Sequence, residues 1–118
     1  MALVPDGPPH TVAGVIIVQI MRDDAQTDAE QAFSAQIDIP STPQQTLPLN
    51  NGSSVSFPVH SGPFNGTISA VVEDFTLQPN GATPAAATGL ACKIVFKLQE
   101  FFSLTLGSVN VTASLKPA

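Results

Sequence analysis

The chain has 118 residues, room for one domain with one core, and 43% of them are hydrophobic. Only 11% are charged, against about 25% in an average soluble domain. Nine acids against four bases leave a net charge of −5. Arg22, Lys93, Lys97 and Lys116 cannot build the basic stripe that nucleic-acid phosphates or an anionic membrane surface require.

Residues 1–10 carry Pro5, Pro8 and Pro9 and read as an extended arm ahead of a domain spanning residues 11–118. They lack the basic n-region of a signal peptide. Residues 11–21, TVAGVIIVQIM, are the most apolar stretch and carry no charge. Val12, Ile16, Val18 and Ile20 fall on one face of a strand; Ala13, Val15, Ile17 and Met21 fall on the other. A strand apolar on both faces is expected to be central, or covered outside by a partner chain. At 11 residues it is too short to span a membrane, and no insertion is expected.

Residues 22–31 hold the only concentrated charge and are expected to form a loop or one helical turn. Residues 32–39 alternate, with Phe33, Ala35, Ile37 and Ile39 inward and Ser34, Gln36 and Asp38 outward. Pro40 ends that strand. An extended loop follows over residues 40–54, with an edge segment near Leu47 and Leu49. Residues 39–72 contain no Asp, Glu, Lys or Arg, a neutral polar surface that suits packed assemblies or glycan contact.

Residues 55–59 form a short strand that contains Pro58, which makes it an edge strand or ends it early. Residues 61–66 contain Asn65-Gly66 and are expected to turn there. Residues 67–78 form a long strand whose inward phase switches between Val72 and Phe75, which predicts a bulge near Glu73 and Asp74. After a turn at residues 79–81 and a small flexible stretch, residues 90–98 point Cys92, Ile94 and Phe96 inward and Lys93 and Lys97 outward. Residues 101–113 form the last strand. Phe102, Leu104 and Leu106 share one phase there, Val109, Val111 and Ala113 the other, and the switch falls at Gly107. Six or seven strands with Gly, Pro and Asn turns predict a single all-β domain, an antiparallel β-sandwich of Ig-like or jelly-roll type.

Chemistry-bearing groups are few. Cys92 is the sole cysteine, which excludes an intrachain disulfide, and its phase places it in the core. His60 stands beside Ser61 with Asp74 downstream, but a Ser-His-Asp triad needs the three in series in space, and no G-x-S-x-G pattern is present. In the acidic run Asp23, Asp24, Asp28 and Glu30, the pattern Asp24-x-Gln26-x-Asp28-x-Glu30 imitates the alternate spacing of a calcium loop without its glycine or its twelfth-position Glu. The simpler reading is a solvated loop. Asn51, Asn65 and Asn110 each begin an N-glycosylation pattern, two of them as Asn-Gly turns. Sugar platforms normally use Trp or Tyr, and the chain has neither; of its seven Phe, Phe57, Phe64 and Phe101 have no inward place.

The expected function is therefore that of a non-enzymatic structural subunit, without cofactor or metal. It would pack against copies of itself or a larger partner, in a virion or at a cell surface rather than in the cytoplasm. The expected interface residues are Val4, Pro5, Pro8, Pro9, Val15, Ile17, Phe57 and Phe64. The alternative is a surface module that binds a glycan or protein ligand through its loops.

Overall fold

The computed structural model describes residues 3–26, 28–40, 42–61, 64–79, 81–83, 86–99 and 103–115; for Glu30, His60, Ser61, Phe64 and Asn65 the description covers the backbone alone. The chain forms two antiparallel sheets. In the first, β3 (Ile16–Asp23) is central. It pairs on one side with β4 (Phe33–Asp38), which pairs in turn with β5 (Gln45–Pro48). On its other side lie β1 (Leu3–Pro5) and β2 (His10–Val12). The second sheet runs β6 (Ser54–Ser61), β7 (Phe64–Gln78), β8 (Gly89–Gln99) and β9 (Ser103–Ser114). A single helical turn, α1 (Ala29–Ala32), links β3 to β4 and buries Ala29 and Ala32. Its four residues are too few to persist without that packing.

The inner faces of both sheets contribute to one core. Ile16, Val18, Ile37 and Leu47 come from the first sheet; Phe57, Val72, Leu90, Ile94 and Phe96 come from the second. Alternation sets this directly: β4 reads buried, half-buried, buried, half-buried, buried, exposed along FSAQID. Within both sheets, hydrogen-bonded neighbours follow chain order, β1 and β2 sharing the edge beside β3. At one side Gln45 of β5 donates through Nε2 to the Ser56 carbonyl of β6, 2.8 Å away, and ties the sheets together. At the other side β2 approaches β9. A Cβ at Gly107 would lie 2.9 Å from Val12 Cγ1, so that approach requires the missing side chain.

The expected bulges are present. Glu73 pairs with Lys93 and Thr76 with Ala91, so Asp74 and Phe75 stand opposite Cys92 alone. Asp74 takes φ +53°, a conformation its short polar side chain tolerates. The extra residue returns Phe75 and Leu77 to the core side. In β9, Thr105 pairs with Lys97 and Gly107 with Phe96, which leaves Leu106 without a partner opposite.

Several expectations are corrected. Residues 11–21 are not one strand. Ala13 (φ +53°) and Gly14 (φ +75°) reverse the chain, and β2 folds back on β3 with Val12 opposite Ile16. Nine strands are present among the described residues, against the six or seven expected, partly from this split and partly from the arm. The arm runs along its own β3, Leu3 opposite Asp23 and Pro5 opposite Met21. Between β1 and β2, residues 6–9 bulge out opposite Gln19 and Ile20, where Pro8 and Pro9 have no N–H to donate. Asn65-Gly66 is not the turn: His60 pairs with Asn65 and Val59 with Gly66 inside the β6–β7 ladder. Ladder pairing outweighs the local turn preference there, and residues 62–63 of the expected 61–66 turn lie outside the described residues. Phe101, Phe102 and residues 116–118 also lie outside them.

Candidate functional site

Two features stand out on the surface, and the β2–β9 approach links them. The first is apolar. Val15 is 41% exposed in the β2–β3 turn, Ile17 is 46% exposed on the outer face of β3, and Leu104 is 49% exposed near the start of β9. Val12 abuts Gly107, while His10 and Asn110 line one cavity, so β2 and β9 run in opposite directions. That direction sets the start of β9 at the same end of the molecule as the 13–15 turn. Leu3, 48% exposed, lies at the far end of β3, opposite Asp23.

The second feature is a cavity of about 210 Å³ between the arm and β9, lined by Asp6, Gly7, Pro8, His10, Ile20, Asn110, Val111 and Thr112. The 6–9 bulge makes its outer wall. Two bonds hold that bulge to β3, Asp6 N–H to the Ile20 carbonyl (2.8 Å) and Gln19 Nε2 to the Gly7 carbonyl (3.0 Å), and Gln19 Nε2 also donates to the Ile20 carbonyl within β3 (2.9 Å). Arg22 sits 3.6 Å from Asp6 and donates from Nε to Asp24 Oδ1 at 3.1 Å. Asp6, His10, Asn110 and Thr112 thus bring hydrogen-bonding residues to the border of one small space. Such a set can bond sugar hydroxyls or a peptide backbone. Sequence reading missed this convergence, because residues 6–10 and 110–112 meet only when the last strand closes against the first. The Asn110-x-Thr112 pattern was the one signal available.

The expected interface residues are dispersed. Val15 and Ile17 are exposed, Pro5, Pro8 and Pro9 are exposed along the arm, and Val4 is half-buried. Phe57 is a correction: it is fully buried in the core. Pro58 faces outward on the edge strand β6, so Val55, Phe57 and Val59 keep their inward alternation through it. Phe64 begins β7, its side chain lying outside the described residues.

The Ser-His-Asp pieces do not meet. His60 is opposite Asn65, and Asp74 lies nine residues further along β7. At strand rise that separation is roughly 30 Å. In the acidic segment, Asp24 is engaged by Arg22, and Asp23 Oδ1 accepts from Ala25 N–H at 3.0 Å. Among the described residues, no group of three or more His, Cys, Asp or Glu side chains is placed to hold a metal. Asn51 and Asn110 are exposed, and the Asn65 side chain lies outside the described residues. Cys92 is buried, and desolvation pushes its thiol up to about 11. The chain matches no protein family, and neither curated proteins nor solved structures provide a significant match.

Proposed function

We propose that this chain is a non-enzymatic structural subunit that assembles with copies of itself through the apolar end formed by the β2–β3 turn and the outer face of β3. The observation that carries the proposal is the exposure of Val15 and Ile17, at 41 and 46%, on the most apolar run of the sequence. Large aliphatic side chains paired at a strand end favour burial against a partner, at about 25 cal/mol per Å² removed from water. As architecture, a sandwich of two facing meanders fits the chain-order pairing better than an Ig-like or jelly-roll arrangement. A virion or surface assembly agrees with the charge-free stretch at residues 39–72.

Light scattering across a dilution series tests the reading. The native chain is expected to form a concentration-dependent oligomer. Val15→Asp is expected to be monomeric with an unchanged urea midpoint, because the side chain already faces water in one copy. A native chain that stays monomeric at every concentration overturns the proposal.

A second reading draws on the cavity. Asp6, His10, Asn110 and Thr112 are among its lining residues, which suits a module binding a glycan or an extended peptide. A glycan array that gives a reproducible ligand, lost on His10→Ala, would move the assignment to that reading.

A further inference from the structure

We propose that the N-terminal strands β1 and β2 exchange between two copies of this chain, with residues 13–15 as the hinge. The inference rests on the self-assembly reading above and specifies how the copies join.

The hinge is poorly suited to the turn it makes. Ala13 and Gly14 adopt consecutive left-handed conformations, φ +53° and +75°, and the Val15 N–H to Val12 carbonyl bond that closes the turn is long at 3.2 Å. Turns with two such residues favour Asn-Gly, Asp-Gly or Gly-Gly; alanine at the first position clashes with its own backbone. An extended Ala13 has no such clash.

The sequence is equally suited to the straight form. Val12, Gly14, Ile16, Val18 and Ile20 share one phase, so straightening residues 13–15 creates an unbroken strand with Val12 still on the core side. The contacts to be exchanged are few and can be remade by a second copy. They comprise three register pairs from β1, three from β2, the core side chain Val12, the Asp6–Arg22 ion pair and the bonds from Asp6 N–H to the Ile20 carbonyl and from Gln19 Nε2 to the Gly7 carbonyl. Each ends on β3 or beside β9, and a partner offers the same acceptors in the same register. Exchange about a two-fold axis brings the straightened hinges together. Val15, exposed at the hairpin tip of one copy, then lies in the middle of a strand beside its symmetry mate.

The test uses Thr11 and Ile17, which are opposite each other and exposed. Thr11→Cys and Ile17→Cys are introduced together with Cys92→Ala, and the full-length protein is equilibrated at oligomer-forming concentration and then oxidised. Exchange places each disulfide between chains, so non-reducing denaturing electrophoresis should show a covalent dimer. A dimer by light scattering whose disulfides close within single chains overturns exchange and leaves the assembly reading standing. A monomer by light scattering overturns both. In the otherwise native chain, Ala13→Asn should weaken the dimer by roughly tenfold, because Asn-Gly favours the closed hairpin. Gly14→Val should strengthen it, since a β-branched residue resists the left-handed conformation. Dimer affinity indifferent to both hinge variants overturns exchange.

Discussion

Cys92 shows how one residue's environment becomes a measurable property. Strand β8 alternates through it, Leu90, Cys92, Ile94 and Phe96 all facing the core. Apolar surroundings disfavour the thiolate, and the thiol rises from 9.0 to about 11. The folded value lies above the unfolded one, so the unfolded chain loses its proton first as pH rises. The stability present below pH about 9 therefore falls between about 9 and about 11, by about 2–3 kcal/mol. Urea midpoints measured across that range should decline in the native chain. The part of the decline due to this group should be missing in Cys92→Ala. A thiol reagent at pH 8 should react with Cys92 only on the timescale of opening, because the neutral, buried form is not the nucleophile.

At the scale of elements, β7 shows why a long strand needs an irregularity. Ile68, Ala70 and Val72 face inward in one phase, and Phe75 and Leu77 in the other. A regular 15-residue strand would leave one set in water. The bulge at Asp74 absorbs one residue and keeps Thr76 opposite Ala91 and Leu77 opposite Leu90. Deleting Asp74 should therefore be tolerated, at a cost within about 1 kcal/mol, since Phe75 and Leu77 keep their phases and a left-handed residue is removed. Deleting Ser69 should prevent folding, because the regular part of the ladder has no surplus residue and half the strand would turn outward. Circular dichroism and urea titration of the two deletions separate these outcomes.

At the scale of the whole molecule, the shape is 47 × 27 × 18 Å, two sheets thick, with a single core between them. A body this thin has little interior to spare, and the edges of its sheets matter. Pro58 on β6 and the Pro8-Pro9 bulge beside β2 interrupt edge hydrogen bonding, a usual defence against unwanted strand addition. Deleting residues 2–9 should remove β1, the bulge and the Asp6–Arg22 pair while leaving the central strands intact. The stability loss should be modest, about 1–2 kcal/mol for three cross-strand pairs, with a much larger loss of self-association. Full assembly after that deletion would show that the arm has no role in joining copies.

Much of this molecule is determined by the sequence alone. The all-β class, the one-sided alternation of β4, the edge position of β6, the bulges near Asp74 and Gly107 and the interior place of Cys92 all follow from a side-chain period of two and from proline's missing donor. The tertiary structure decided what those patterns cannot express. Alternation reports which face of a strand is buried but not which strand lies beside it. The fold-back at Ala13 and Gly14, the pairing of the arm with its own β3 and the cavity between residues 6–10 and 110–112 were therefore hidden. Turn signals are local preferences, and at Asn65-Gly66 a full ladder of backbone hydrogen bonds outweighed one. Phe57 had no inward place by sequence alone; an edge strand loses only an outward hydrogen bond at proline, and its inward side chains still fill the core.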